Sequence, residues 1–158
     1  MQETGLFDDV YEAPIGWLGI RLQGERLSEL DWIESPRQSA SLRRSQPVVK
    51  TIHAWLDSYF TTATSTIIPA LTPAGTPFQQ RVRRALLKIP LGAVKTYGQL
   101  AAELNTSSRA IGQACRKNPV AIMIPCHRVV AANGVGGYMG AVGHIHIKRW
   151  LLEHEGVC

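Results

Sequence analysis

The stretch TYGQLAAELNTSSRAIGQACRKN, residues 96–118, predicts two short helices joined by a tight polar turn. Thr96 is placed to cap the first helix, over 97–104, whose two leucines fall four residues apart on one side. The turn offers Ser107 or Ser108 as the cap of the second helix, which begins with an arginine. Two short helices in this arrangement are typical of a helix-turn-helix.

The second helix has an unusual composition for a helix that reads bases. Ala110, Gly112 and Ala114 stand where long hydrogen-bonding side chains are needed to reach base edges in the major groove. Small residues let a helix backbone approach a narrow minor groove, or pack closely against another helix in a core. Arg109 and Arg116 argue against the core alternative, because charged residues are rarely buried without a partner. We therefore expect a helix that lies on the minor groove.

Positive charge is concentrated in the second half of the chain. The net charge is +5, from 17 basic and 12 acidic residues. Residues 1–75 hold six Lys/Arg and nine Asp/Glu, a net −3, whereas residues 76–158 hold eleven Lys/Arg and three Asp/Glu, a net +8. A basic half in an otherwise acidic chain indicates a polyanionic partner. On charge alone, a solvated basic surface without a partner stays open.

The first part of the chain predicts a small α/β domain. Short apolar or alternating runs at 10–11, 18–22 and 30–33 are separated by proline and glycine, as strands are. Pro47 then opens a helix. The apolar face of this helix holds Val48, Ile52, Trp55, Leu56 and Phe60.

A change in composition separates this part from a helical second half. Three prolines and a glycine lie within residues 65–77, as in many linkers. We therefore expect an N-terminal structural domain, 1–74, and a C-terminal domain, 75–158. The second domain adds a helix from Pro77 and a last helix over 148–155. The predicted fold class is α+β.

Composition indicates a folded protein of the cytoplasm. The apolar fraction of 45% and the charged fraction of 18% are ordinary for a globular chain. The apolar runs are far shorter than the roughly 20 residues that span a bilayer, and the N-terminus, MQETGLFDDV, has no export signal. Three cysteines, an odd number, argue against a disulfide framework and for a reducing compartment.

The run NPVAIMIPCHRVV, residues 118–130, holds the candidate nucleophile. The proline before Cys126 fixes the backbone, and a thiol becomes nucleophilic as the thiolate, which a neighbouring base favours. In an extended segment His127 points to the opposite face, so a water has to carry the proton between the two side chains. Glu153 or Glu155, in the last helix, is a candidate to hold the tautomer of that base. On spacing alone, the dipeptide also fits a structural role or a partial metal site.

Several segments together carry a family resemblance. They are IPCHRVV, RAIGQACRKNP before it, GGY and KRWLLEHEG after it, and FQQRV, IPLGAVKTYGQLA and APIGWLGI upstream. Over nearly its whole length the chain resembles the O6-alkylguanine-DNA alkyltransferases, or methylated-DNA–protein-cysteine methyltransferases. The resemblance implies a ribonuclease H-like first domain with antiparallel strands. It implies a second, α-helical domain that contains a winged-helix-like helix-turn-helix.

The resemblance also implies a mechanism with one acceptor. Cys126 attacks the alkyl carbon, chiefly methyl, on guanine O6 in DNA. His127 removes the thiol proton through a water, and Glu155 orients His127. The product is a thioether that no group in the site reverses, so each molecule acts once, as a suicide transferase without cofactor or metal. O4-alkylthymine is left open as a second substrate.

The implied partner is double-stranded DNA containing O6-alkylguanine, bound by a monomer, with no membrane involved. Tyr97 donates a hydrogen bond to the base and helps rotate the nucleotide out, and Arg109 fills the gap in the base stack. Asn118 braces the turn between the DNA-binding helix and the cysteine. The guanine pocket is shaped by Val129 and Tyr138. Backbone or groove contacts come from Thr96, Ser108, Ala110 and Arg116.

Two departures from the family and three alternative functions accompany this interpretation. Arg83 stands where the family usually has tryptophan, and the stretch 139–147 is longer than usual. A cysteine hydrolase would use the same cysteine, histidine and glutamate, but it explains neither the +8 half nor the helix with Arg109. A lesion-binding sensor that flips bases without repair would lack Cys126. An ordinary transcription factor would need the base-reading side chains that the second helix lacks.

Overall fold

The chain folds as two compact units. The computed structural model describes residues 7–36, 46–63, 68–73, 75–138 and 144–157. The first unit comprises Met1–Pro73 together with Pro119–Ala121, and the second comprises Ala74–Asn118 together with Ile122–Cys158. The described residues form a mixed α+β structure with a small antiparallel sheet and five helices, which confirms the predicted class.

The first unit is built on an antiparallel sheet in the order β1-β2-β3. Its strands are β1, Asp9–Ala13, β2, Gly16–Gln23, and β3, Arg26–Ile33. All three predicted strands are confirmed, but the third begins at Arg26 rather than at residue 30. The reason is a tight turn in which Gly24 has a φ of +63°, a conformation that glycine adopts readily. This turn brings Gln23 opposite Arg26 and extends the pairing.

One helix, α1, Pro47–Thr62, buries its apolar face in the first unit. The prediction that Pro47 opens a helix is confirmed. The buried side chains are Val49, Ile52, Trp55, Leu56 and Tyr59. Val48 and Phe60, predicted to face the core, are only half-buried. Tyr59 takes the inner position instead, because its ring stacks on Trp55 with the ring centres 5.5 Å apart.

A short segment from much later in the sequence extends the same sheet. Leu30 N–H donates to the Pro119 carbonyl at 2.9 Å, and Ala121 N–H donates to the Leu30 carbonyl at 2.8 Å. The next residue, Ile122, has a φ of +69°, which is uncommon for a β-branched side chain. Three residues shortly before Cys126, Pro119–Ala121, therefore belong to the first unit, and we call this segment the three-residue excursion.

In its described residues the second unit contains four α-helices. They are α2, Pro77–Leu87, α3, Tyr97–Glu103, α4, Ser108–Arg116, and α5, Ile145–His154. Side-chain caps fix where three of them begin: Thr76 and Thr96 form capping boxes, and Ser107, rather than Ser108, caps α4. The predicted helices are confirmed, although α5 starts at Ile145 and not at Lys148.

The two helices of the predicted helix-turn-helix, α3 and α4, contact each other across the turn 104–107. Just before α3, the two-residue strand β4, Lys95–Thr96, pairs in parallel with β5, Val129–Val130. This pairing brings the start of α3 next to the segment that follows Cys126. Within the described ranges, no helix is both long and apolar enough to cross a bilayer.

Candidate active site

Cys126 begins a single 3-10 turn, Cys126–Arg128, at the end of a buried apolar segment. Arg128 N–H closes this turn on the Pro125 carbonyl at 3.0 Å. The extended backbone predicted at the cysteine is therefore wrong, because Pro125, with a ψ of 64°, turns the chain before β5 begins. Cys126 is 3% exposed, so the group that reacts with it has to enter a site that largely excludes bulk water.

A buried histidine–carboxylate pair follows the cysteine. His127 Nε2 lies 2.6 Å from Glu155 Oε2, and neither side chain is exposed to solvent. Glu155 is the C-terminal cap of α5 and is buried, whereas Glu153 in the last turn of the helix is exposed. The structure thus brings together His127 and Glu155, the predicted base and the group predicted to orient it.

Arg128 holds the same carboxylate from its other side. Arg128 Nε donates to Glu155 Oε1 at 2.8 Å, and Nη2 donates to Oε2 at 3.2 Å. Arg128 Nη1 donates to the Ile89 carbonyl at 2.8 Å. Two-point contacts of this kind fix the plane of a carboxylate, and Oε2 stays directed at His127. Sequence patterns missed this role because arginine is seldom buried.

The His127 imidazole is neutral and has an unused acceptor. Burial lowers the pKa of His127, and the Arg128 and Lys148 cations lower it further, although Glu155 opposes the shift. A carboxylate can only accept, so Nε2 carries the ring proton. Nδ1 is buried, and no group among the described residues bonds to it. The ring therefore presents a base whose lone pair is available.

Lys148 is a buried cation that the sequence analysis missed. From α5, its Nζ donates to the Val129 carbonyl at 2.6 Å and to the Gly137 carbonyl at 2.8 Å. The ammonium lies 5.7 Å from the centre of the Tyr97 ring. Burial lowers the pKa of Lys148 to about 8, although two nearby cysteines, Cys126 among them, favour its charged form when they are ionised. One feature of the sequence did indicate this burial: Lys148 lies one helical turn before Leu151 and Leu152, two apolar residues that face the core.

Tyr97 begins α3 and packs against the loop at Gly136. A Cβ at Gly136 would lie only 3.0 Å from the Tyr97 ring, and Gly136 has a φ of +75°, so only glycine fits there. Burial raises the pKa of Tyr97 to about 12, with the Cys115 and Cys126 thiols adding to the shift. The phenol therefore keeps its proton at neutral pH, and its O–H makes only a long 3.5 Å contact to the Gly137 carbonyl, which a better acceptor can replace.

The helix predicted to lie on DNA, α4, has one buried face and one exposed face. Ile111 and Cys115 are buried, whereas Arg109 and Arg116 are exposed. The other predicted backbone or groove contacts are at least half-exposed: Ser108 is exposed, and Thr96 and Ala110 are half-buried. The exposed face thus combines arginines with small residues.

The remaining predicted site residues are buried. Asn118 Nδ2 donates to the Ile124 carbonyl at 2.9 Å and so bridges the three-residue excursion before the cysteine. Val129 and Tyr138 are likewise buried. Of the two departures, Arg83 is half-buried, and burial lowers the pKa of its guanidinium. Residues 139–143 of the longer stretch 139–147 lie outside the described residues, as does Cys158.

Comparison with known proteins gives one consistent family. Residues 77–157 match the family described as 6-O-methylguanine DNA methyltransferase, DNA binding domain. A methylated-DNA–protein-cysteine methyltransferase from Saccharolobus islandicus is 36% identical over 148 residues, 94% of this chain and 94% of that protein. The O6-methylguanine methyltransferase of Mycobacterium tuberculosis superposes with a TM-score of 0.80 at 34% identity, covering 92% of this chain and 90% of that one. The structure of the same bacterium's OGT in complex with DNA gives 0.78 at 36% identity over the same shares.

Proposed function

Because this chain belongs to the methylated-DNA–protein-cysteine methyltransferase family, we propose that it repairs DNA by moving the alkyl group of O6-alkylguanine, chiefly methyl, onto Cys126. The observation that carries the proposal is a buried cysteine followed directly by a buried histidine whose Nε2 is fixed by Glu155 and whose Nδ1 is unused. The thioether formed is stable, so each molecule acts once.

The site residues support a single displacement with general-base help. A water between the thiol and His127 Nδ1 passes the thiol proton to the imidazole. Sulfur then bonds to the alkyl carbon as the bond from that carbon to guanine O6 breaks, and the electron pair stays on the base. Tyr97 donates a hydrogen bond to the base, which leaves as neutral guanine once it takes up the proton that the thiol released. The buried Lys148 ammonium stabilises the thiolate before attack.

We propose that α4 lies in the minor groove and that the damaged nucleotide is flipped out of the duplex. Arg109, exposed at the start of the helix, fills the gap in the stack. Asn118 holds the segment that leads to Cys126. The guanine pocket is formed by Val129 and Tyr138. The backbone and groove contacts are made by Thr96, Ser108, Ala110 and Arg116.

We also propose roles for the two domains of the chain. The second domain, 75–158, acts as a winged-helix-like DNA-binding and acceptor domain, and the first domain, 1–74, as a ribonuclease H-like structural domain. The protein acts as a cytoplasmic monomer on double-stranded DNA, without a cofactor, and O4-alkylthymine is a candidate second substrate.

Intact and peptide mass spectrometry tests the proposal. The protein is mixed with an excess of duplex that contains O6-methylguanine. We expect one added methyl group per chain, located on Cys126 in the digest. Tight lesion binding without a mass change would indicate a sensor. Repeated turnover without a modified cysteine would indicate a hydrolase.

Replacing Arg109 with alanine is expected to slow transfer from duplex DNA by about ten- to a hundredfold. Base flipping costs a few kcal/mol, and each 1.4 kcal/mol is about a tenfold change. Transfer from free O6-methylguanine base requires no flipping and should slow far less. Single-turnover rates on the two substrates give the ratio, with Arg149→Ala, at an exposed arginine of α5, as the control. Equal slowing on both substrates would make Arg109 a structural residue.

A further inference from the structure

Much of the positive charge of the second unit lies away from α4. Eleven Lys/Arg fall within residues 76–158, and five of them fall within 81–95, a stretch without any acidic residue. Two of the others, Arg128 and Lys148, are buried in the active site. The accessible positive charge of this unit is therefore concentrated at least as strongly on α2 and β4 as on the helix predicted to lie on DNA.

These cations line a cleft of about 330 Å³, which we call the α2 groove. Its charged residues are Arg81 and Arg84 from α2, Lys88 at the C-terminal cap of α2, Lys95 from β4 and Glu103 from α3. Lys95 Nζ lies 2.5 Å from Glu103 Oε2, a partly exposed pair. Arg81 Nη2 donates to the Leu104 carbonyl at 2.8 Å, at the end of α3. The groove thus lies at the C-terminal end of α3 and carries four cations against one carboxylate.

Three cations of the α2 groove lie close together on α2 and its C-terminal cap. Arg81 and Arg84 in α2 and Lys88 at its C-terminal cap follow one another at intervals of three and four residues, which places them on the same side. Like charges at this spacing repel one another by a few tenths of a kcal/mol per pair, which the favourable position of Arg84 and Lys88 at the C-terminal end of the helix offsets. Arg84 and Lys88 are exposed, and in the described part of the chain neither forms an ion pair. An anionic ligand would relieve this repulsion.

We propose that the α2 groove binds backbone phosphates of the DNA duplex that flank the damaged nucleotide. In a helix-turn-helix the first helix crosses the DNA backbone, and the groove opens at the end of that helix, α3, where Glu103 and Leu104 line it. Arginine suits phosphate because its planar guanidinium donates two parallel hydrogen bonds, and lysine adds a point charge. The proposal rests on the DNA binding proposed above and widens its footprint beyond α4.

The salt dependence of DNA binding tests the α2 groove. The double variant Arg84→Gln/Lys88→Gln is titrated onto an undamaged duplex long enough for one protein, so that transfer does not disturb the equilibrium. Because each neutralised phosphate adds about 0.9 to the slope of log K against log[salt], the variant is expected to lose about 1.8 from that slope. Its affinity should fall most at low salt. Lys50→Gln/Arg149→Gln, with the same charge change at two exposed helix positions elsewhere, should keep the wild-type slope.

The outcomes separate this inference from the proposed function. An unchanged slope in a groove variant that unfolds at the wild-type temperature overturns the α2 groove while leaving DNA binding by α4 in place. A second result would also overturn it: sedimentation shows two duplexes on one protein, and the slope for the one-to-one complex is unchanged. The α2 groove would then bind a second duplex and not the phosphates that flank the damaged nucleotide. Salt-independent binding by the wild-type protein contradicts both this inference and the proposed DNA interaction.

Discussion

Replacing Cys126 with serine is expected to abolish alkyl transfer, to the level of a mixture without protein. A serine hydroxyl is a far weaker nucleophile than a thiol at neutral pH and here has only the same neutral histidine to activate it. DNA binding should stay close to that of the wild type, because Cys126 is 3% exposed and serine is nearly the same size. Intact mass after incubation with a methylated duplex measures transfer, and fluorescence anisotropy measures binding.

Cys115→Ser is the matched control for this variant. Cys115 is also buried, and its thiol lies close enough to Cys126 for the two groups to interact. Burial raises the pKa of Cys115 to about 12, so it stays a thiol and is a poor nucleophile. Cys115→Ser should therefore still gain one methyl group per chain. A methyl group found on Cys115 in the Cys126→Ser protein would contradict the assignment of the acceptor.

Local rules account for the parts of the fold that the sequence analysis predicted. The caps at Thr76 and Thr96 and the proline at the start of α1 are decided within one helical turn, so a single sequence shows them. The three-residue excursion at Pro119–Ala121 is different. Its partner, Leu30, lies some ninety residues earlier in the chain, and no local pattern in three apolar residues indicates a distant strand.

The residues of the candidate site also fall into two groups, those that the sequence indicated and those that it did not. Cys126 and His127 are adjacent in the sequence, so this dipeptide is visible without a structure. The family resemblance adds Glu155 to the predicted site. Arg128 and Lys148 were missed because charged residues are usually exposed, whereas here one pairs with Glu155 and the other bonds to two backbone carbonyls. The backbone at Cys126 was predicted wrongly because alternation along a strand does not reveal that Pro125 starts a turn.

The buried charges of the site depend on one another. Glu155 accepts hydrogen bonds from both His127 and Arg128, and all three side chains are buried. Removing one partner of such a group leaves an uncompensated charge, which costs far more than an exposed ion pair contributes. Glu155 is therefore the residue at which a single change affects both the stability of the second unit and the tautomer of the base.

Glu155→Gln is expected to slow alkyl transfer by about 10²- to 10⁴-fold, the range associated with a mispositioned or missing general base. A glutamine has one acceptor oxygen, which the Arg128 guanidinium claims, so its NH₂ group faces His127 Nε2. That nitrogen then has to accept, and the ring proton moves to Nδ1, where it blocks uptake of the thiol proton. We also expect unfolding to become easier by about 3–5 kcal/mol, because Arg128 loses its buried counter-charge.

Two readouts separate this positioning role from a structural one. Glu153→Gln makes the same change at an exposed position two residues away and should leave rate and stability near those of the wild type. Nitrogen NMR of the imidazole should place the His127 ring proton on Nε2 in the wild type and on Nδ1 in Glu155→Gln, a change that a merely structural role would not produce. A folded Glu155→Gln protein that transfers slowly but keeps the ring proton on Nε2 would show that Glu155 supports the fold and not the base.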